Sequence, residues 1–98
     1  MNSAAHDEVG AHVELAGIYE TIAGLLRDVD DKLQPVTAAG IRGKQLTLDL
    51  GLDSLDVIKF VLLVEEKFGL KLADDDIDGR ELLKIDNLAA YLAERGAV

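Results

Sequence analysis

Ser54 is the only serine after Ala4, and it lies in the run Gly51-Leu52-Asp53-Ser54-Leu55. A helical pattern begins at this point. Leu55, Ile58, Leu62 and Phe68, joined by Val61 and Val64, recur at the spacing of one apolar helix face. An Asp or Ser just ahead of such a face starts a helix, because its side-chain oxygen accepts a free first-turn N–H. Ser54 is therefore expected at the exposed, electropositive end of a helix. A phosphate esterified to it would meet unpaired N–H groups and the positive end of the helix dipole. A plain capping serine is the competing reading, and the two are compatible, since a cap position is also exposed. Asp53 and Asp56 flank the hydroxyl. No second catalytic element converges on them, so they read as solvent-facing acids suited to a basic partner.

Little other chemistry is available. The chain has no cysteine, hence no disulfide, no thiolate metal site and no thiol of its own. His6 and His12 are six apart and share no helix face, so they read as solvated tail residues. The run Asp74-Asp75-Asp76-Ile77-Asp78-Gly79 matches the opening of an EF-hand calcium loop. The loop's twelfth position needs a bidentate Glu and holds Ile85, while the apolar eighth holds Glu81. The stretch is expected to be an acidic turn with no dedicated metal site. No phosphate-binding glycine loop, HExxH or Ser/His/Asp arrangement occurs, and no catalytic residue is assigned.

The elements that must position Ser54 follow from the periodicity. Ile18, Ile22, Leu25, Leu26, Val29 and Leu33 form one apolar face of a first helix, from about Ala11 to Leu33, which Pro35 must end. Residues 34–52 are a long connection, punctuated by Ile41, Leu46, Leu48 and Leu50, which are expected to pin it across the core. Leu46 to Leu50 alternates like a strand, but nothing is present to pair with it. The second helix runs from about Ser54 to Phe68 and stops at Gly69. One short helical turn fits Arg80 to Lys84. The last helix runs from about Asp86, its expected N-cap, to Arg95, with Gly96 as its stop. Leu88, Ala89, Tyr91 and Leu92 give its inner face.

Residues 1–10 read as a flexible tail and 11–95 as one domain, an all-α four-helix bundle of three main helices and one short one with a long first loop. Apolar residues make up 49% of the 98, too many for a disordered chain. The net charge of −9, from 10 basic and 19 acidic residues, repels nucleic acid and anionic membranes and favours basic protein partners. No apolar run is long enough to span a membrane and no secretory signal is evident, so a cytoplasmic monomer is expected.

The stretch from Gly51 through Leu55 resembles the attachment segment of acyl carrier proteins, whose signature is G-x-D-S-L. The resemblance continues through Glu65-Glu66-Lys67-Phe68 and, more loosely, from about Ile18 to Leu92. It implies that Ser54 carries a covalent 4′-phosphopantetheine arm derived from coenzyme A. It further implies a phosphopantetheinyl transferase and acyl-loading and acyl-processing enzymes as partners, docking at Asp53, Leu55, Asp56, Ile58, Lys59 and Glu65. Leu46 and Leu50 are the loop anchors it implies. Lys59 departs from the acidic residue usual in carriers of dissociated fatty-acid synthases. That leaves room for a polyketide, lipid-tail or aminoacyl pathway. The alternatives are a peptidyl carrier with the same arm, or an unmodified acidic interaction module or degenerate calcium-binding protein.

Overall fold

The computed structural model describes residues 3–95, with side chains from Leu15 onward. Met1, Asn2, Gly96 and the side chains of His6 and His12 lie outside the described residues. Helix α1 spans Ser3–Val29. Its backbone is helical well before the expected start at Ala11, in keeping with Ala4, Ala5 and Glu8, which favour helix, and with the absence of any proline. It ends before the expected Leu33. Asp30 leaves helical geometry at φ −153° and ψ 136°, and its carboxylate accepts the N–H of Lys32, starting a tight 3-10 turn over Asp31–Leu33. Ile18, Ile22, Leu26, Val29 and Leu33 are buried as the stripe predicted, together with Tyr19 and Ala23.

The long connection is stitched down at both ends. The Arg27 Nε–H donates to the Val36 carbonyl at 3.1 Å, and the Gln34 amide donates to the Arg27 carbonyl at 3.0 Å. Ile41, Leu46 and Leu52 are buried, and Leu50 packs half-buried against them. Leu48 does not pin the loop and is 78% exposed. Residues 45–50 curl into a turn, in which the Gln45 N–H donates to the Asp49 carboxylate at 2.7 Å. Only an isolated bridge joins Gln45 to Lys84. Across it Leu46 N–H donates to the Leu83 carbonyl and Ile85 N–H to the Lys44 carbonyl.

Helix α2 covers Ser54–Phe68, α3 Asp74–Gly79 and α4 Ile85–Glu94. The short helix therefore lies where an acidic turn was expected, and 80–84 is the turn. Asp74, Asp75 and Asp76 fill the first turn of α3, where negative charge suits the helix dipole. Glu81 then takes a left-handed φ of 51° and breaks the helix. Helix α4 buries Ile85, Leu88, Ala89, Tyr91 and Leu92. Helix α1 packs against both α2 and α4, and no strand occurs among the described residues. The fold is all-α.

Asp86 is not the N-cap of α4, a place held by Lys84 without a side-chain bond. Its carboxylate instead accepts the Tyr19 hydroxyl at 2.6 Å and the Gly43 N–H at 3.1 Å. The Arg42 guanidinium lies 4.1 Å from the Tyr19 ring centre. One joint thus ties α1, the long loop and α4. Burial, then the bond to Asp86, pushes the Tyr19 hydroxyl up from 10.0 to about 12. The same bond, with the Gly43 N–H, holds Asp86 below the ordinary carboxylate value.

Candidate functional site

The chain enters α2 through a fixed elbow. Leu52 is buried at 4% exposure and anchors the backbone one residue before the cap. Gly51 beside it sits at φ 74°, a conformation that a side chain would strain. The N-cap is Asp53, in extended geometry, whose Oδ1 accepts the Asp56 N–H at 2.8 Å. Asp56 Oδ2 reaches back to the Asp53 N–H at 3.4 Å. This is a reciprocal capping box built from two aspartates.

The cap decides the state of the serine. Ser54 is the first residue of α2 rather than its cap, and it is exposed. Its hydroxyl makes no hydrogen bond among the described residues. Asp53 has taken over the structural task, which leaves the Ser54 oxygen free at the positive end of a helix of 15 residues.

The apolar face of α2 is turned relative to the expectation. Leu55 is 68% exposed, Ile58 55% and Leu62 58%. The buried residues are Phe60 and Val64, with Val57, Val61, Leu63 and Phe68 packed partly against the core. Two apolar stripes fit helical spacing here, and the charges separate them. Lys59 and Glu66 interleave with Leu55 and Leu62, whereas Val57, Phe60, Val61 and Val64 share a side that no charge interrupts. The outer leucines and isoleucine thus form a stripe that begins beside Ser54.

The predicted docking residues divide accordingly. Asp53, Leu55, Ile58 and Lys59 are exposed close to Ser54, and Asp56 is half-buried in the capping box. Lys59 forms no ion pair among the described residues. Glu65 belongs to the other end of the helix. Its Oε2 accepts the Leu72 N–H at 2.7 Å and its carbonyl accepts the Gly69 and Leu70 N–H groups. Gly69 closes the helix in the left-handed region at φ 68°. A shallow groove of about 430 Å³ follows, lined by Leu62, Glu65, Glu66, Gly69, Leu70 and Lys71. Among the described residues, no three carboxylates or imidazoles gather as a metal site.

A family profile described as a phosphopantetheine attachment site matches residues 40–92. The chain belongs to this family. That span contains the elbow, the Asp53 cap, Ser54 and all of α2. The chain is 40% identical to the acyl carrier protein of Bdellovibrio bacteriovorus over 48 residues, which is 49% of this chain and 59% of that protein. It is 29% identical to that of Kineococcus radiotolerans over 80 residues, covering 82% of this chain and 96% of that protein. It is also 29% identical to the mitochondrial acyl carrier protein of Neurospora crassa, over 85% of this chain and 59% of that protein. The alignment thus spans little more than half of some of these relatives and nearly all of another. No solved structure matches. Membership of the family indicates a covalently attached 4′-phosphopantetheine. The exposed, unengaged oxygen of Ser54 fits such a group, since the attachment point needs solvent access and displaces no internal bond.

Sequence reasoning missed Asp53 as the sole cap, although the spacing of Asp53 and Asp56 is the capping-box interval with Asp in both places. It also missed the inward use of Glu65. No local signal marks that bond, because its partner is a backbone N–H seven residues away.

Proposed function

We propose that the chain is a carrier, not a catalyst, with Ser54 as its attachment residue and 11–95 as the carrier domain. The observation that carries this reading is the Asp53 cap, which leaves the Ser54 hydroxyl exposed and unbonded within the matched span. A phosphopantetheinyl transferase directs Ser54 Oγ onto the pyrophosphate of coenzyme A. A Ser54–O–P bond forms to the pantetheine-side phosphorus, the P–O–P bond breaks, adenosine 3′,5′-bisphosphate leaves with the bonding electron pair, and the hydroxyl proton passes to the transferase. The attached arm supplies the thiol that this cysteine-free chain lacks, for holding acyl groups as thioesters. Asp53 and Asp56 offer negative charge to a basic docking patch, and Leu55 and Ile58 offer apolar area beside it. A mobile arm raises the effective concentration of the cargo at each docked enzyme. The setting is a cytoplasmic monomer that serves loading and processing enzymes.

The cargo is acyl, in fatty-acid, polyketide or related synthesis. Lys59 favours a dedicated pathway, because it sets an unpaired positive charge on the docking stripe of a chain whose net charge is −9. An aminoacyl cargo on the same arm is the second reading that this charge allows.

Intact mass after incubation with coenzyme A and a broad-specificity transferase tests the assignment. Wild type should gain one phosphopantetheinyl group and Ser54→Ala none. An unmodified wild type, or a modified Ser54→Ala, overturns it. The variant should keep its helical circular dichroism, because Asp53 rather than Ser54 caps α2.

A further inference from the structure

Leu48 is the one leucine of the long loop that the fold leaves in water. Leu46 and Leu52 are buried and Leu50 is half-buried, but Leu48 is the most exposed large apolar side chain among the described residues. A lone surface leucine needs no explanation. This one is neither isolated nor loosely held. The large apolar side chains exposed among the described residues are Leu48, Leu55, Ile58 and Leu62, and all of them fall between positions 48 and 62, around Ser54. The turn that carries Leu48 is fixed by hydrogen bonds on both sides of it. The Asp49 and Leu50 N–H groups each donate to the Gln45 carbonyl at 3.1 Å, and the Gln45 N–H donates to Asp49 Oδ2 at 2.7 Å. The Gly51 N–H donates to the Thr47 carbonyl at 3.1 Å. The Leu52 N–H donates to the Leu46 carbonyl at 3.0 Å and closes the base of the turn just ahead of Asp53 and Ser54. An apolar side chain presented by a fixed backbone has little ordering left to lose when another surface covers it.

The distance to Ser54 identifies that surface. The bond between Gly51 and Thr47 brings the turn back beside the chain that leads into α2. At about 3.6 Å of reach per residue, it holds the Leu48 and Ser54 Cα atoms within about 17 Å of each other. An enzyme that esterifies the Ser54 oxygen must centre its contact on that residue. A protein–protein contact of ordinary size covers about 800 Å² on each partner, a disc of about 16 Å radius. Leu48 therefore belongs to the footprint of such an enzyme or to its rim. We propose that Leu48 is a docking residue for the phosphopantetheinyl transferase, extending the contact from Leu55 and Ile58 on α2 onto the loop. This inference rests on the carrier reading of Ser54. The transferase surface it fits carries an apolar patch beyond the one that meets α2, with basic residues beside it for the exposed carboxylate of Asp53.

The test follows arm transfer by mass on the full chain, with a broad-specificity transferase and coenzyme A. A wild type that gains no group is a failure of the carrier reading and is seen before any variant is compared. With wild type modified, Leu48→Gln should raise KM for the carrier by about fivefold and leave kcat unchanged, as the loss of an apolar contact made equally in the bound and transition states would do. Leu48→Met, which keeps the apolar contact, should stay within about twofold of wild type. Both variants should keep the wild-type Tm, because the side chain they replace is in water. A second readout needs no variant. With leucine methyls labelled, adding the transferase without coenzyme A should move the Leu48 and Leu55 resonances and leave that of buried Leu88 in place. A wild-type KM in Leu48→Gln, a loss confined to kcat, a lowered Tm, or an unmoved Leu48 resonance would each overturn the proposal. A Leu48 resonance that moves with protein concentration alone would assign the turn to a second copy of the chain, and would overturn it too.

Discussion

Helix α2 has two apolar faces with opposite fates. The inner one, Phe60 and Val64 flanked by Val57, Val61 and Phe68, is closed by α1 and the rest of the core. The outer one, Leu55, Ile58 and Leu62, is more than half exposed at every position. Both have the same periodicity and much the same hydrophobicity. Burying an apolar side chain contributes to folding, whereas leaving three of them in water on one stripe contributes nothing to it. The inner face is therefore where α2 is held, and the outer face is what it offers to another surface. Ser54 stands at the start of both.

The sharpest way to break this contrast is to truncate the centre of each face and compare stability. Phe60 is 1% exposed. Phe60→Ala should lower unfolding stability by about 3–5 kcal/mol, through lost burial and the cavity left behind. Ile58→Ala and Leu62→Ala should each stay within about 0.5 kcal/mol of wild type, as surface substitutions usually do. Urea denaturation of the three variants decides it. An Ile58→Ala loss approaching that of Phe60→Ala would mean that the outer stripe is closed in solution, and the contrast would collapse.

How much of this was visible beforehand depends on how far apart the cooperating residues lie. The α1 stripe, the Gly69 stop, the inner residues of α4 and the all-helical class were legible, because each depends on residues within a few turns of one another. The orientation of α2 was misread, since spacing alone admits two stripes. Only the positions of Lys59 and Glu66 tell them apart. The short helix was misplaced because an acidic run reads as turn, although the same aspartates suit a helix N-terminus. The joint between Tyr19 and Asp86 spans 67 positions, and no local pattern announces it. Asp86 looked like a cap from its neighbours and proved to be a tie between distant elements. At the candidate site the serine and its flanking acids were legible as a motif. The division of labour that frees the serine was not, since it depends on which of two adjacent residues takes the extended conformation.

A second comparison turns from stability to docking. If the outer face is what a transferase meets, Ile58→Ala should reduce kcat/KM for arm transfer to Ser54 by roughly tenfold, the loss of about 1.4 kcal/mol of contact energy. The folded fraction should not change. Initial rates at fixed coenzyme A, read by mass, give the value directly. A full rate with Ile58→Ala would remove the outer stripe from the transferase interface, leaving it to other enzymes or to none.

The smallest effect concerns charge. Lys59 is exposed on the outer stripe, between Ile58 and Leu62 in sequence, and carries the stripe's only positive charge. An enzyme with a basic docking patch attracts Asp53 and Asp56 but is repelled there, so Lys59 should slow its encounter. Lys59→Glu should raise kcat/KM with such an enzyme by about two- to fivefold at low ionic strength, in line with a single rim charge. The gain should shrink toward unity as added salt shortens the screening length to a few ångströms. With the natural partner the sign should reverse, because a surface evolved against Lys59 would present an acid to it, and Lys59→Glu would oppose two like charges. Measuring both enzymes at two salt concentrations separates these cases. If Lys59→Glu changes neither rate at low salt, Lys59 is a solvated helix residue, and the argument from its charge to a dedicated pathway falls while the contrast between the two faces stands.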